Sequence, residues 1–278
     1  MLKYAKNIAH LMSELFIDVI IPCYNAADTI ERAVMSVLSQ SNLGRVYLID
    51  DGSVDETWQV ITRLQERHPN LIHIEKLPVN KGVATARNWG AMLAKSDFIA
   101  FLDADDSHQS QVLSACAMVF SQFDVGMIRL PMTPINLPKE FADHPEFDIA
   151  WRTFEMTAGS NMMFYRPYFL ALGGFDDDEI FKKFGGEDGA LGLATIDTSM
   201  IATLFDNPDF EVGVNYHCHQ DMFANHLFHA LLFGENTRSV TQDDIEKANQ
   251  STQNAINRIE KLRKIINAKT GKMPIILS

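Results

Sequence analysis

The sequence predicts an α/β fold in which helices cover both faces of a mainly parallel β-sheet. Between residues 17 and 106, short apolar segments alternate with segments of helical periodicity, and strands that alternate with helices form parallel sheets. The chain has 278 residues, 46% of them hydrophobic, so it can bury the core of one large domain or of a domain with a small appendage.

The first half is predicted to contain four strands with helices between them. The segments that predict buried strands are residues 18–23, 46–50, 71–75 and 98–102. The segments that predict helices are residues 29–39, 56–67 and 83–94. In the first of these helical segments, apolar side chains recur at the three- and four-residue spacing of one helix face.

The second half is predicted to be less regular. Prolines between residues 131 and 145 indicate irregular structure or short edge strands, because proline lacks the N–H that a sheet ladder uses. An ordered block is expected at residues 159–194 and a buried helix at residues 221–233. A long amphipathic helix is predicted at residues 241–268, where Thr241 and Asp244 resemble a capping box. Its apolar face suits packing along the domain or pairing with a second copy of the chain.

Charge and cysteine content narrow the class of protein. The net charge of −12 disfavours nucleic-acid binding, which needs a basic surface. Three scattered cysteines argue against a disulfide framework and favour a reducing compartment, and no apolar run reaches the length of a membrane-spanning helix. We therefore expect a cytoplasmic protein that does not bind nucleic acid.

The last part of the chain is basic although the protein as a whole is acidic. Its cations are Arg258, Lys261, Arg263, Lys264, Lys269 and Lys272. Two interpretations stay open. These side chains either lie at the solvated end of a helix, where cations suit the helix dipole, or contact anionic lipid head groups at the inner face of a membrane.

Acidic and polar segments follow three of the predicted strands. The first strand leads into residues 22–25, the second into residues 50–53 and the fourth into residues 103–106. Ligands of open parallel sheets bind at the carboxyl ends of the strands, so these segments are expected to meet at one site. Carboxylates alone repel a diphosphate, and a divalent cation such as Mg²⁺ or Mn²⁺ resolves this conflict. Each segment alone is also an ordinary turn or helix cap, so their joint placement carries the prediction.

A positive charge is predicted beside this acidic edge. Residues 80–82 open a helix that contains Arg87. The N-terminus of a helix favours phosphate, and an arginine can make a forked contact with it. Taken alone, Arg87 also fits an ordinary surface position on this helix.

Several motifs together resemble one protein family. They are VIIPCYN at residues 19–25, IDDGS at 49–53, NKGVATARN at 80–88, FLDADD at 101–106, GGFD at 173–176 and GGED at 185–188. Their order and spacing resemble the family 2 glycosyltransferases, which have the GT-A fold, a Rossmann-like, mainly parallel sheet flanked by helices. The resemblance spans residues 17–220.

The resemblance implies a division of the chain into three parts. A leader segment at residues 1–16 precedes a GT-A catalytic domain at residues 17–232, and a C-terminal helical extension follows at residues 233–278. Within the catalytic domain, residues 17–106 would form the nucleotide-binding half and residues 107–232 the acceptor half.

The resemblance also implies a site for a nucleotide diphosphate sugar. Asp51 resembles the carboxylate that binds the base, Arg87 the residue that reaches the nucleotide, and Asp103 a residue that faces the ribose or the metal. Asp105 resembles the main ligand of the Mn²⁺ or Mg²⁺ ion that holds the diphosphate. The residues implied to bind the nucleotide are Pro22, Tyr24, Asn25, Asp51, Gly82, Arg87 and Asp103.

A catalytic base and a fuller metal shell are implied as well. Asp188, with Glu187 beside it, resembles the base that removes the acceptor hydroxyl proton in inverting members, although a glycine-flanked acidic loop without a catalytic role is the alternative. His217 and His219 alternate on an extended segment and so point the same way. Either one resembles a late histidine that completes the metal shell in several GT-A enzymes. His226 and His229 share one helix face, and Cys218 and Asp221 lie nearby, so a separate zinc site and purely structural histidines stay open as alternatives.

Two departures from the family pattern concern the acceptor side. Residues 189–195 contain no arginine, although one usually follows the Glu-Asp motif, and the Gln-x-x-Arg-Trp motif of processive synthases is absent. The second absence predicts transfer of single sugars rather than polymerisation. Trp151, with Phe147 and Phe154, suits either stacking on an acceptor sugar or packing in the core.

The predicted function is metal-dependent, inverting transfer of a hexosyl or N-acetylhexosaminyl group from a nucleotide diphosphate donor, with UDP as the expected nucleotide. The acceptor is expected to be a hydroxyl of a glycan, a lipid-linked sugar or another molecule in polysaccharide or glycoconjugate synthesis. Two alternatives stay open, a sugar nucleotidyltransferase and a catalytically inactive nucleotide-binding or scaffold module. A homodimer and a peripheral membrane contact through the basic C-terminal segment are further expectations.

Overall fold

The computed structural model describes residues 15–205, 212–219, 222, 224–235 and 240–270, with side chains up to residue 264. Most of the predicted leader therefore lies outside the described residues, as do Asp221 and Lys272. Within the described part, the chain forms a larger and a smaller β-sheet, and helices lie on both faces of the larger one.

Seven strands of the described residues form the larger sheet. In spatial order they are β3 (Ile72–Lys76), β2 (Leu43–Asp50), β1 (Ile17–Cys23), β4 (Phe98–Phe101), β8 (Met162–Tyr165), β6 (Met127–Arg129) and β9 (Ile201–Thr203). The pairs among β1 to β4 are parallel, whereas β8 is antiparallel to both β4 and β6. The predicted α/β fold with a mainly parallel sheet is confirmed.

The described helices follow the order of the chain. They are α1 (Ile30–Leu38), α2 (Thr57–Arg67), α3 (Val83–Leu93), α4 (Val112–Gln122), α5 (Lys139–Ala142), α6 (Phe147–Thr157), α7 (Arg166–Leu172), α8 (Glu179–Phe184), α9 (Glu187–Thr198), α10 (Ala224–Phe233) and α11 (Gln242–Thr270).

The two faces of the larger sheet carry separate apolar cores. Every residue of β1 is buried, and its side chains alternate between the two faces. Val19 and Ile21 join the core that includes α1, α2 and α4, whereas Ile20 joins the core that includes α3, α7 and α9. Because both faces are buried, the strand has a continuous apolar sequence, and each large apolar side chain contributes about 1.5–3 kcal/mol on burial.

The proline-containing middle segment forms a short edge strand. Pro134 lies in β7 (Met132–Ile135), at the edge of the smaller sheet, where its missing N–H breaks no ladder. The helices α4 and α6 on either side of this segment were not predicted. The prolines between residues 131 and 145 lie outside the spans of α4 and α6, so they do not interrupt either helix.

The smaller sheet joins distant parts of the chain beside the strand ends. Its strand β10 (Val214–His217) is antiparallel to β5 (Ser107–His108) and parallel to β7. The backbone N–H of His217 donates to the carboxylate of Asp106 at 3.1 Å. This sheet therefore brings the late histidines to the acidic segment that follows β4.

The predicted buried helix at residues 221–233 is only partly buried. In α10, Ala224 and Phe228 are buried, whereas Leu231 and Phe233 are 44% and 42% exposed. The prediction of full burial was wrong because only one face of α10 packs against the domain, on α6.

The C-terminal helix α11 packs against α9. Its capping box is confirmed, since the Thr241 hydroxyl accepts from the Asp244 N–H at 3.2 Å and the Asp244 carboxylate accepts from the Thr241 N–H at 2.9 Å. Ala255 and Ile259 are buried in the core that includes α9. This apolar face is therefore used for packing along the domain.

Two of the C-terminal cations serve this packing. The guanidinium of Arg258 donates to the carbonyl oxygen of Leu172, and that of Arg263 donates to the carbonyl oxygen of Thr198. Both carbonyls lie at the C-terminal ends of helices, α7 and α9, where such groups lack partners within the helix. The basic character of this segment therefore has a structural use within the chain.

Candidate active site

A cavity of about 930 Å³ opens at the carboxyl ends of β1, β2 and β4. It lies where open parallel sheets place their ligands. All the residues predicted for the site line this cavity: Pro22, Tyr24, Asn25, Asp51, Gly82, Arg87, Asp103, Asp105, Glu187, Asp188, His217 and His219. The strand-end prediction therefore located one continuous site, while the role of each side chain stays a prediction.

The loops that follow β1 and β2 are tied to each other. Asn25 has a left-handed backbone with φ of 49°, which asparagine tolerates better than most residues. Its backbone N–H donates to the Ser53 hydroxyl at 3.0 Å, and its side-chain oxygen accepts from the Val54 N–H at 3.0 Å. Tyr24 is left 50% exposed beside the cavity. An aromatic ring on a fixed loop suits stacking on a nucleobase.

Asp51 organises the turn that leads into α3. Its two carboxylate oxygens accept from the backbone N–H groups of Lys81, at 2.7 Å, and Gly82, at 2.8 Å. Burial raises the pKa of Asp51, and these two hydrogen bonds oppose the rise. Gly82 has φ of 95°, a conformation that favours glycine. Asp51 thus positions the start of α3, in addition to the predicted contact with a base.

Arg87 lies beneath the cavity as a buried cation. Its side chain donates to the Asp103 carboxylate at 2.6 Å and lies 3.5 Å from the Glu187 carboxylate. Burial alone would lower the pKa of Arg87, but these two carboxylates raise it above its usual value. A side chain added at Gly159 would come within 2.6 Å of the guanidinium, so the glycine makes room for it. Arg87 therefore lies buried beside the cavity and not at the surface position that the helix alone would allow.

Glu187 and Asp188 begin α9 at the wall of the cavity. Gly186, immediately before them, has φ of 97°, which lets the chain turn into the helix. Burial and the neighbouring Asp188 raise the pKa of Glu187 to about 7, whereas Arg87 lowers it. Burial also raises the pKa of Asp188, against the positive charges of Arg87 and Arg129. Both carboxylates thus lie in the environment that tunes acids and bases in active sites.

The candidate metal ligands are Asp105 and His219. The imidazole Nε2 of His219 lies 3.1 Å from the Asp105 carboxylate. His217 instead places its Nε2 3.3 Å from the Ser107 hydroxyl, and Asp103 is engaged by Arg87. Burial and the Asp103 carboxylate raise the pKa of Asp105, and His219 opposes the rise.

These residues fit a divalent cation as a partial shell. A carboxylate oxygen and an imidazole nitrogen are ligands that Mn²⁺ accepts, and phosphate oxygens of a bound nucleotide supply further ones. Among the described residues, no group of three or more His, Cys, Asp or Glu side chains is arranged to hold a metal.

Two cations of the cavity were not predicted. Arg32 of α1 donates to the backbone oxygen of Asp105, and Lys182 of α8 lies near Gly82 while it pairs with Glu179 at 2.7 Å. Arg32 follows the first strand by a short loop, which is a weak signal in the sequence. Lys182 has no such signal, because the path of α8 over the cavity depends on the tertiary fold.

The structure bears on two remaining alternatives, the stacking of Trp151 on a sugar and a separate zinc site. Trp151 is buried and its indole N–H donates to the Met132 carbonyl at 3.1 Å, so it packs in the core and does not stack on a sugar. Cys218 is buried, and burial raises the pKa of its thiol to about 11. His229 pairs with Glu235 at 3.0 Å. None of these contacts within the described part indicates a zinc site.

No helix among the described residues combines the length and the apolar character of a membrane span. The three cysteines are all buried and free.

Sequence comparison relates part of the chain to known proteins. The family described as "Glycosyl transferase family 2" matches residues 18–166. An Escherichia coli relative, UDP-Glc:alpha-D-GlcNAc-diphosphoundecaprenol beta-1,3-glucosyltransferase WfaP, is 40% identical over 91 residues, which cover 32% of this chain and 35% of that protein. The aligned part spans between 34% and 38% of the length of three such curated relatives.

Solved structures resemble the chain over nearly its whole length. S. aureus TarS in complex with UDP-GlcNAc has a TM-score of 0.60 at 16% identity, over 93% of this chain and 77% of that one. The mannosyltransferase PcManGT from Pyrobaculum calidifontis, in complex with GDP-Man and Mn²⁺, has a TM-score of 0.58 at 17% identity, over 99% of this chain and 84% of that one. At such identities the likeness establishes the fold.

Proposed function

Because the chain belongs to glycosyl transferase family 2 and has the GT-A fold, we propose that it transfers a sugar from a nucleotide diphosphate donor to an acceptor hydroxyl. One observation carries this proposal. A single cavity joins the strand-end carboxylates, the buried Arg87 and the Glu187–Asp188 pair. Such a cavity offers a place for a charged donor on one side and a base for an acceptor on the other.

The donor is a UDP-sugar that carries a hexosyl or N-acetylhexosaminyl group. TarS binds UDP-GlcNAc, and the E. coli relative uses UDP-Glc by its name. In this chain, Tyr24 and Asp51 flank the space for the base, and the N-terminus of α3 at Gly82 favours the diphosphate. Arg32 and Lys182 add positive charge to a cavity that is otherwise rich in carboxylates.

A divalent cation, Mn²⁺ or Mg²⁺, would be held by Asp105 and His219, with Asp103 and His217 as the nearby predicted ligands. When bound, it neutralises charge that develops on the departing diphosphate. The complex of the archaeal mannosyltransferase with GDP-Man and Mn²⁺ supports a metal in this fold.

Asp188 acts as the general base of an inverting reaction. The acceptor oxygen forms a bond to the anomeric carbon as the bond from that carbon to the diphosphate breaks, and the hydroxyl proton moves to the Asp188 carboxylate. Glu187, the residue next to this base, forms an ion pair with Arg87 and so connects the base with the donor side of the cavity. Holding both substrates in one cavity supplies much of the rate by proximity.

The reaction adds one sugar at a time in polysaccharide or glycoconjugate synthesis. The missing Gln-x-x-Arg-Trp motif supports single addition. A glycan or a lipid-linked sugar is the acceptor, in line with the diphosphoundecaprenol substrate in the name of the E. coli relative. Three buried, unpaired cysteines suit the reducing cytoplasm.

A donor screen followed by a turnover assay tests this function. Thermal-shift measurements with nucleotide sugars and Mn²⁺ identify the donor, and the released nucleotide is then measured with a panel of glycan and lipid-linked acceptors. We expect nucleoside diphosphate as product, and we expect Asp188→Asn to abolish transfer while donor binding persists. Pyrophosphate as product would indicate a nucleotidyltransferase. Absence of both turnover and nucleotide binding would indicate an inactive module, and normal turnover of Asp188→Asn would exclude the assigned base.

A further inference from the structure

Arg129, the last residue of β6, is a buried arginine without a carboxylate partner among the described residues. Its side chain is 1% exposed. One terminal nitrogen donates to the carbonyl oxygens of Glu155 and Ala158 and to the side chain of Asn161, at 3.0–3.2 Å. The other terminal nitrogen has no hydrogen-bond partner among the described residues. The nearby Glu155 carboxylate is engaged elsewhere, by the Met132 N–H at 2.7 Å and by a different arginine.

Burial of a charge with too few partners destabilises the folded state, so this arrangement indicates that the charge has a use. A buried cation needs a paired anion or a full set of hydrogen bonds, and Arg129 has only part of that set. Burial lowers the pKa of Arg129 to about 10, so the guanidinium still carries its charge at neutral pH. The three acceptors that it does have include carbonyls at the C-terminal end of α6, which favours a cation there.

The unpartnered nitrogen lies against the helix that carries the proposed base. A Cβ atom added at Gly192 would lie 2.6 Å from this nitrogen, so Gly192 leaves the space that the guanidinium fills. Gly192 follows Asp188 by four residues in α9, and residues at that spacing are neighbours on one helix face. The helix itself contains no lysine or arginine. Arg129 therefore brings a positive charge to the side of α9 on which Asp188 lies.

We propose that Arg129 is a positioning residue for the transfer reaction, whose buried charge behind α9 keeps Asp188 ionised and ready to accept the acceptor proton. This inference rests on the proposed role of Asp188 as the base. It adds to that role a residue from a strand far from the Glu-Asp motif in sequence.

The charges around Asp188 explain why a second cation is needed. The groups that face it are Arg87 from α3, Asp103 after β4, Arg129 from β6 and its own neighbour Glu187. Burial and Asp103 raise the pKa of Asp188, whereas Arg87, the Gly189 N–H that donates to it at 2.9 Å, and Arg129 lower it. Arg87 shares its charge with Asp103 and Glu187 through ion pairs, whereas Arg129 has no ion pair among the described residues. Arg129 thus supplies charge that no other described carboxylate neutralises.

The test is the pH dependence of kcat for Arg129→Met and Arg129→Lys, measured with saturating donor and acceptor. Loss of the positive charge makes the protonated form of Asp188 more favourable, so the acidic limb of the Arg129→Met profile should move to higher pH by about one unit. At pH values well below this limb its kcat should fall about tenfold, and at high pH it should recover. Arg129→Lys keeps a charge, so its acidic limb should stay near that of the wild type.

Arg152→Met is the matched control, because Arg152 pairs with Glu155 of the same helix, α6, at 3.1 Å. It should change stability without moving the acidic limb. If Arg129→Met and Arg129→Lys lower kcat equally at every pH, then Arg129 serves only as a hydrogen-bond donor to the carbonyls at the C-terminal end of α6, and the inference is wrong.

Gly192→Ala tests the same point if Arg129→Met does not fold. Its added methyl group displaces the guanidinium and should also move the acidic limb to higher pH, while an unchanged limb would overturn the inference. The proposed role of Asp188 as the base is tested separately. Turnover of Asp188→Asn at the wild-type rate would exclude that role, whatever the Arg129 variants show.

Discussion

Arg87 joins two carboxylates that come from different parts of the chain, Asp103 after β4 and Glu187 at the start of α9. This buried pairing connects the predicted donor side of the cavity with the predicted base. Removal of the guanidinium leaves both carboxylates without their cation, and the Glu187 side chain is only 9% exposed.

We expect Arg87→Met to lower the free energy of unfolding by about 3–5 kcal/mol, because it breaks a buried ion pair. The measurement is urea denaturation at pH 7. Arg67→Met is the control, since Arg67 forms an exposed ion pair with Glu31 at 3.0 Å and its loss should cost at most about 1 kcal/mol. Equal losses in the two variants would show that burial adds nothing to the Arg87 pairs.

Glu187 should make stability depend on pH near neutrality. Burial and Asp188 raise the pKa of this carboxyl to about 7 in the folded chain, from an ordinary value of 4.5. The folded state therefore holds the proton more tightly than the unfolded state. The resulting stabilisation is complete below the ordinary pKa and is lost as the pH rises through 7.

Comparison with Glu187→Gln measures this effect, because the variant has no proton to lose. Between pH 5 and pH 8, the free energy of unfolding of the wild type should fall by about 1–3 kcal/mol relative to that of the variant. Urea denaturation at several pH values gives both curves. Curves that stay parallel over this range would contradict the raised pKa.

At the scale of elements, α11 supports the helix that begins with the acidic pair. Ile259 is buried in the core that includes α9, whereas Ile245 of the same helix is 45% exposed. The helix thus packs against α9 through this buried face, and its loss should loosen α9.

We expect Ile259→Ala to lower the free energy of unfolding by about 2–5 kcal/mol, because it leaves a cavity between α11 and α9. Ile245→Ala is the matched control on the same helix and should change stability by less than about 0.5 kcal/mol. Thermal or urea unfolding measures both. A loss confined to the control would mean that α11 packs differently on the domain.

Elements with a local signal could be predicted from the sequence. The strands β1 to β4 and the helices between them lie within a few residues of the predicted segments, because continuous apolar runs and helical periodicity are local patterns. Helices α4 and α6 have weaker local signals: the apolar residues of α4 are nearly continuous and show little periodicity, and Pro138 and Pro145 before α6 favour irregular structure. The capping box at Thr241 was found because its two partners lie three residues apart.

The residues of the site also divide into those that local sequence patterns could place and those that they could not. Strand-end carboxylates could be placed because the carboxyl ends of parallel strands meet at one edge. Arg129 could not, since its surroundings combine a strand, the end of α6 and a glycine of α9. Which of His217 and His219 lies beside Asp105 also needed the structure, because His219 follows β10 and meets Asp105 only through the tertiary fold.

At the scale of the whole molecule, the cavity is lined by loops that follow several strands. A bound donor with its metal would contact several of these loops at once. A ligand that binds only the folded state at 100 times its Kd stabilises it by about 2.7 kcal/mol. We expect a UDP-sugar with Mn²⁺ to raise Tm, and EDTA to remove most of this increase.

Histidine variants distinguish the two metal candidates in the same assay. His219→Ala should reduce the Mn²⁺-dependent increase in Tm, because His219 lies beside Asp105. His217→Ala should keep most of that increase, because its imidazole contacts Ser107. The opposite ranking would assign the metal to His217.

The pairing of β4 with β8 has a consequence for the two predicted halves of the domain, which meet at residue 106. Because β8 comes from the second half, the central sheet runs across this boundary without a break. A chain cut after residue 106 would expose a sheet edge on each fragment, and exposed edges favour aggregation. Separately produced halves should therefore be insoluble, whereas co-expressed halves should reassemble through the β4–β8 ladder and recover donor binding together.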